Sequence, residues 1–314
     1  MTRREGVLPH NEEVKRVAAA PEPDVALSSD EAVVPRRPRR GWRKHRLGIL
    51  GLVLVGTVVL SSLIGPFFID LDANQSDLAN RLLPPGSEVN GRTALFGTDA
   101  LGRDQLARVL IGGRASLSVV LLALVLGGGL GTMLGMISGF RGGWVDTTVM
   151  RLVDSFLALP TIVLAMLVAA TLGGGFVNTA ITLGIAGWAV YARLIRAEVL
   201  KIREEDYIGA AVALGGSDNR ILMRHIGPNI LSSLLVVASL ELGRMVLTES
   251  SLSYLGFGMQ PPDASWGSMI RQGQAYVQSA WWLSTVPGVF IAVMVLGLNL
   301  VGDWLRDILD PRNN

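Results

Sequence analysis

The 314-residue sequence contains no cysteine. Disulfides, thiolate nucleophiles, iron–sulfur ligation and Cys-based zinc sites are therefore excluded. Histidine is nearly as scarce. His10, His45 and His225 are the only three, far apart and in no HExxH pattern, which argues against a His-rich metal site. Lysine occurs only at Lys15, Lys44 and Lys201, followed by Arg16, His45 and Ile202. A P-loop needs a Gly-rich loop followed by Lys and then Ser or Thr. None of the three lysines fits, so the chain has no ATP site of that kind. Charged residues make up 17%, too few for a soluble chain of this length, and the net charge is +2.

Half of the residues are hydrophobic. Several runs approach or pass the ~20 apolar residues that cross a bilayer as a helix. Alternating ten-residue barrel strands are not seen. The fold class is therefore all-α, a polytopic membrane protein. Residues 1–35 are rich in Ala, Pro, Glu, Asp and Ser and read as a disordered cytoplasmic tail. They lack the layout of a signal peptide. "RRPRRGWRKHR" (Arg36–Arg46) then abuts the first apolar run, and residues 36–69 form a basic flank and first span. Such a flank keeps its side in the cytoplasm. The alternative, a nucleic-acid-binding arm, is the weaker explanation of a juxtamembrane basic run.

With the N-terminus inside, six spans follow at about 47–69, 117–139, 149–172, 178–195, 230–250 and 284–302, and both termini are cytoplasmic. Residues 70–116 are extracytoplasmic, and 117–314 form a core with five spans. "RGGWVD" (Arg141–Asp146) reads as a tight inside turn, and Pro160 as a kink in the third span. Arg193, Arg196, Lys201, Arg203, Arg220, Arg224, Arg306 and Arg312 fall on the inside. Outside, arginines are balanced by Asp70, Asp72, Asp77, Glu88, Asp99 and Asp104. "GGGLGTMLG" (Gly127–Gly135) offers small residues for close helix approach.

Between the fourth and fifth spans stands "EEDYIGAAVALGGSDNRILMRHIGPN" (Glu204–Asn229), too polar for lipid. Helix formers run from about Ala197 to Leu214. Gly209, Ala210, Ala211 and Ala213 make one part nearly flat, with Tyr207, Ile208 and Leu214 standing beside it. Gly215-Gly216 stops the helix, and Ser217 or Asp218 caps a second. Gly227-Pro228 ends that one and starts the fifth span. A flat helix with a few knobs suits a groove on another protein. A short helix lying on the membrane is the other reading.

The stretch resembles the "EAA" coupling segment of ABC-importer membrane subunits. Ala210 and Ala211 match its two alanines, Gly215 its glycine and Pro228 its proline. Gly209, His225 and Gly227 depart from its glutamate, isoleucine and leucine. The form AAxALGxSDxRIxxRHIxPN is closer to the peptide-importer branch, with only Gly227 breaking the final run. "FGTDALGRDQLARVLIGGRASL" (Phe96–Leu117), "ESSLSYLGFGMQPPDASWGSMIRQG" (Glu249–Gly273) and "NLVGDWLRDILDPR" (Asn299–Arg312) resemble segments of the same branch, in the same order. Together they identify the chain as resembling the C-type permease of dipeptide and oligopeptide ABC importers.

That resemblance implies a type I importer permease fold that moves short peptides without chemical change. It implies a second homologous permease, two cytoplasmic ATPase subunits or domains and an extracytoplasmic peptide-binding protein as partners. The lipid bilayer is its surrounding, a bacterial cell membrane, and no nucleic acid is involved. The chain itself is no enzyme and binds no cofactor. ATP and Mg belong to the partner subunits, whose closure moves the coupling helices (198–227) and swings the spans between inward- and outward-open states. The coupling residues are Tyr207, Ala210, Ala211, Leu214, Gly215, Ser217, Arg224, His225 and Pro228.

Charges within spans are costly and need partners. Glu241 and Arg244 lie three apart on one face of the fifth span. They are either a self-neutralising pair or part of a pathway, and Glu249 is a third pathway or gate candidate. Asp154 reads as solvated. Asp303, Arg306, Asp307 and Asp310 share one face at the C-terminus, solvated or against the ATPase. Thr98-Asp99 and Gly102-Arg103-Asp104 read as a turn and helix cap, or as a receiver of the binding protein. Gly256–Gly273 has the makings of a re-entrant outer gate. Permeases for nickel, glutathione or antimicrobial peptides look similar and remain alternatives. A channel or secondary transporter should show paired broken helices or a filter loop. A membrane enzyme should show a nucleophile, an HExxH motif or paired intramembrane aspartates.

Overall fold

The computed structural model describes residues 41–68 and 75–309, with side chains described from residue 45 to 67 and from 75 onward. The tail 1–35, the basic run Arg36–Arg40, Ile69, Asp70, Asp72, Asp310 and Arg312 lie outside the described residues.

The chain is helical, as its composition requires. Five helical runs are long and apolar enough to span a membrane: His45–Phe67, Gln105–Arg141, Phe176–Arg203, Asp218–Tyr254 and Trp282–Leu309. A bent pair, Gly143–Leu157 and Thr161–Leu172, supplies a sixth when taken as one span. In chain order the helices are α1 (Gly41–Phe68), α2 (Gln105–Ala123), α3 (Gly129–Arg141), α4 (Gly143–Leu157), α5 (Thr161–Leu172), α6 (Phe176–Arg203), α7 (Asp206–Ala213), α8 (Asp218–Ile221), α9 (Gly227–Tyr254), α10 (Trp266–Gly273) and α11 (Trp282–Leu309). A short antiparallel hairpin, β1 (Ser87–Val89) and β2 (Arg92–Ala94), lies between α1 and α2.

Three details differ from the sequence reading. The bend at Pro160 is 94°, a break rather than a kink. Proline has no N–H to continue the helix and drives the residue before it away from helical geometry. Here Pro160 sits at the N-cap of α5 in extended geometry. The second span starts at Gln105, within the stretch read as extracytoplasmic. Asp104 caps it, its carboxylate accepting the Ala107 N–H at 2.8 Å. The inside turn after α3 is confined to Gly142, at φ 66°, and α4 resumes at Gly143.

α6 is the most buried of the spanning helices, with 56% of its apolar window covered. It packs on α2, α3, α4, α5 and α9. Its closest neighbour is α3, through a glycine at every fourth position. A Cβ added to Gly127 would stand 2.6 Å from the Gly184 carbonyl oxygen, at Gly131 2.2 Å from that of Trp188, at Gly135 2.6 Å from that of Ala192, and at Gly139 3.0 Å from that of Arg196. Both sides of the contact recur every fourth residue, so one row of backbone runs against another. Dispersion and close backbone approach hold membrane helices together where lipid removes the hydrophobic drive. α1 joins α11 the same way. A Cβ at Gly51 would meet the Gly297 carbonyl at 2.9 Å, and Trp304 Nε1 donates to His45 Nδ1 at 3.2 Å.

Candidate functional site

The polar stretch between α6 and α9 is built from two short helices on an isoleucine base. α6 ends at Arg203, and Glu204-Glu205 turns the chain into α7. The region is thus not one helix from Ala197 to Leu214. Gly215 closes α7 with φ 79°, while the Gly215 N–H reaches the Val212 carbonyl (2.9 Å) and the Gly216 N–H that of Ala211 (3.1 Å). Ser217 stands at the N-cap of α8, as expected, but its side chain makes no capping bond.

Ile208, expected to protrude, is buried. It joins Ile195, Val199, Ile202, Ile221, Ile226 and Ile230 in a cluster of its own, with Ala211 packed against it. The helix buries the side that finds apolar partners from α6, α8, the turn after it and α9, all outside α7 itself. What remains outward is Tyr207, Gly209, Ala210, Val212, Ala213 and Leu214. Leu214 is 89% exposed. Around a Cβ placed on Gly209 or Gly215 there is open space. Tyr207 is held from behind, its hydroxyl accepting from Asn229 Nδ2 at 3.2 Å, and the same amide donates to the His225 carbonyl at 2.6 Å.

Gly227-Pro228 does not end a helix. Asp218–Tyr254 is one helical run, with a π turn over Leu222–Ile226 before α9. The Gly227 N–H bonds back to the Leu222 carbonyl, five residues earlier. Pro228, which has no N–H to give, lies two residues past that turn, at the start of α9. A Cβ on Gly227 would stand 3.3 Å from the Leu222 carbonyl oxygen. Gly227, unlike the family pattern, therefore sits directly after the π turn at a position with little room. Arg224 and Pro228 are exposed, and His225 is half-buried.

Within the bundle, Arg244 Nη1 donates to Glu241 Oε1 at 2.8 Å, and Nη2 reaches Thr161 Oγ1 at 3.4 Å. The two charges pair, but unequally: the Glu241 side chain is 11% exposed and that of Arg244 53%. Glu249 is wholly buried. It accepts from Ser253 Oγ at 2.8 Å and Ser250 Oγ at 3.4 Å, and nearby Ser116 Oγ of α2 accepts from the Trp266 N–H at 3.3 Å. The buried carboxylate is thus held by hydroxyls of its own helix, while Ser116 ties α2 to the start of α10. Glu249→Leu removes the acceptor from two buried hydroxyls, Ser250 and Ser253, each costing about 1–3 kcal/mol when left without a partner. The expected result is loss of folded protein on detergent size-exclusion chromatography, with Glu249→Gln intermediate.

Asp154, read as solvated, pairs with Arg193 on the surface. Asp146 accepts from both Arg196 nitrogens, with Nη2 at 2.6 Å, and this holds its carboxyl partner-locked between α4 and α6. Sequence reasoning missed that pair, because nothing local links residues fifty apart.

At the other end, Asp99 accepts from the Leu101 and Arg103 N–H groups (2.8 and 2.9 Å) and from the Arg103 side chain, with buried Arg108 at 3.6 Å. Trp282 Nε1 donates to the Thr98 carbonyl at 3.2 Å, and Gln105 Nε2 to that of Leu283. The GTDALGRD turn is therefore bolted to the start of α11. Gly102 is required in it: φ is 75°, and a Cβ would stand 1.7 Å from the Asp77 carbonyl oxygen. The Asn80 and Asn90 amides hold the Asp77 carboxyl below the usual carboxylate range, while burial pushes that of Asp104 up. α10 begins with a Ser265/Ser268 capping box. Trp266 is fully buried, its Nε1 donating to the Val109 carbonyl at 2.9 Å. Gly256–Gly273 thus dips back among α2, α9 and α11, and Trp266 pins it there.

Comparison with known proteins completes the description. Residues 131–314, more than half of the chain, match the model of the binding-protein-dependent transport system inner membrane component. The chain belongs to this family. Residues 37–85 match the N-terminal transmembrane domain of oligopeptide transport permease C. The permease is 37% identical over 93% of its length to a dipeptide transport system permease protein of Alkalihalophilus pseudofirmus, covering 95% of that protein. It is 35% identical to an oligopeptide transport system permease protein of Bacillus subtilis, covering 93% of this chain and 96% of the relative. It is 36% identical to a di/tripeptide transport system permease protein of Pseudomonas aeruginosa, over 91% and 96%. Among solved structures it aligns with the inward-facing MetNI methionine ABC transporter at TM-score 0.49 and 19% identity, over 63% of this chain and 96% of that one. The permease is a multi-pass inner-membrane component of an ABC transporter.

Proposed function

We propose that this chain is the transmembrane permease subunit of an ATP-driven importer of short peptides. It forms the translocation path with a second permease, receives substrate from an extracytoplasmic peptide-binding protein and takes its drive from separate ATPase subunits. The observation that carries the reading is α7. Its inner side is anchored by Ile208 on the isoleucine cluster, while Leu214 and the small residues Gly209 and Ala210 face outward at the cationic end of the bundle. Rigid on one side and open on the other, such a helix can receive a push from a partner and pass it to α6 and α9.

The sequence supports a separate motor, since none of its three lysines stands in a P-loop. ATP and Mg would be handled by the partners. Tyr207, Ala210, Leu214, Gly215, Ser217 and Arg224 are then the contact side of the socket. Ala211, His225 and Pro228 shape it from within or behind. The peptide substrate follows the relatives, whose names give dipeptides, di/tripeptides and oligopeptides. The test is uptake by the complete importer in proteoliposomes with its own binding protein. ATP-dependent accumulation of di- to oligopeptides is the expected result. A binding protein with no affinity for any peptide would overturn the substrate assignment.

A further inference from the structure

We infer that Arg244 receives the C-terminal carboxylate of the peptide in transit, an inference that rests on the peptide-importer reading above. The argument begins with cost. Arg244 lies within α9, ten residues before the end of the spanning run at Tyr254, with its side chain 53% exposed. An arginine cannot discard its charge, and a charged side chain at such depth faces water, protein or substrate rather than lipid.

The second observation is what lies on the same face. A groove of about 780 Å³ opens between α6, α9 and α11 beside α7; Tyr207, Asn229, Ser232 and Ser233 give it a polar wall, and Glu198, Lys201, Glu205 and Arg306 bring charges of both signs to its mouth. It climbs α9 through Val236, Val237 and Leu240. Arg244 follows Leu240 by one helical turn and lines the small cavity above the groove, with Thr161, Val190 and Glu241. A charged and polar mouth and an apolar throat thus lead up α9 towards Arg244, the cation deepest along that face.

The third is the geometry of the guanidinium. It has five N–H donors in a planar fork. Glu241 takes Nη1 from the buried side, and Thr161 lies at 3.4 Å from Nη2. The exposed part of the fork is shaped for a second carboxylate, which arginine grips through parallel bonds. The first turn of α5 begins beside it at Thr161, adding the positive end of a helix dipole. Every transported peptide, whatever its side chains, brings a terminal carboxylate. A site for that group serves an importer of mixed sequences.

The test compares uptake of a free-acid peptide with that of its C-terminal amide by the complete importer, each supplied at a concentration that fully loads the binding protein. Wild type is expected to move the acid at least tenfold faster than the amide. Arg244→Gln should lose that preference, the acid rate falling far more than the amide rate, and Arg244→Lys should keep part of it. If Arg244→Gln lowers both rates by the same factor, the arginine pairs with the bundle or the second permease and the inference fails. It fails equally if the acid rate does not fall. A wild-type importer that moves no peptide at all overturns the peptide reading first, and is recognised before any substitution is made.

Discussion

Gly131→Ala is expected to cut the folded permease recovered from the membrane severalfold, while Gly129→Ala, on the same helix, leaves it unchanged or raised. The substitutions are chemically identical. Their settings are opposite. A Cβ on Gly131 would stand 2.2 Å from the Trp188 carbonyl oxygen and 2.7 Å from the Tyr191 Cβ, while nothing lies within 4 Å of one on Gly129. At Gly131 the obstacle is backbone, which cannot swing aside as a long side chain would. Nor can α3 and α6 separate there alone, since Gly127, Gly135 and Gly139 hold the same approach above and below. Overpacking of this kind costs about 1–3 kcal/mol, and about 1.4 kcal/mol is tenfold in an equilibrium. Gly129→Ala instead gains helix propensity worth up to about 1 kcal/mol. The monodisperse fraction on detergent chromatography, with a thermal melt, reads both. Equal yields would mean that α3 and α6 do not meet through this glycine row.

Leu214→Asp is expected to reduce peptide uptake at least tenfold at an unchanged membrane level. Leu214 is 89% exposed and belongs to none of the hydrophobic clusters, so the fold has little stake in it. As a docking anchor it would bury fully against a partner, worth about 1.5–3 kcal/mol. An aspartate there must also be desolvated without a partner. Ile208→Asp is the contrast. That side chain is 2% exposed within the isoleucine cluster, so the charge should lower the folded amount itself. Immunoblotting of membranes beside an uptake assay separates the two. Normal uptake by Leu214→Asp would remove the anchor from the account.

The spans were legible because a bilayer imposes its thickness on the chain, and runs of apolar residues record that length directly. The stop at Gly215 was legible because a left-handed backbone position favours glycine, and φ there is 79°. The small-residue stretch at Gly127–Gly135 announced close packing, though not that α6 was the partner. Other features left no such mark. Ile208 looked like a knob because the side chains that bury it, Ile195, Ile221 and Ile226 among them, come from other elements. The π turns at Leu124–Gly128 and Leu222–Ile226 shift hydrogen bonds by one residue without a residue type of their own. A proline at 160 disfavours a continuous helix, but α1 and α11 run through Pro66 and Pro287, so residue type alone did not announce a 94° break. The Glu241–Arg244 spacing made their pairing readable. The unequal exposure that turns Arg244 outward was not.

The structure also changes where the central claim is best tested. Ala211 is packed against the isoleucine cluster, whereas Leu214 and Ser217 are exposed. The chain has no cysteine, so single cysteines at Leu214 and Ser217 are unique reporters. The decisive measurement is disulfide crosslinking of these two positions to single cysteines around the groove of the partner ATPase, in membranes holding the transport-competent complex. The account predicts a crosslinked permease–ATPase product from both positions, and none from a cysteine at Val289, which is exposed on α11, a helix outside the socket. No product from either position, with uptake intact, would contradict it.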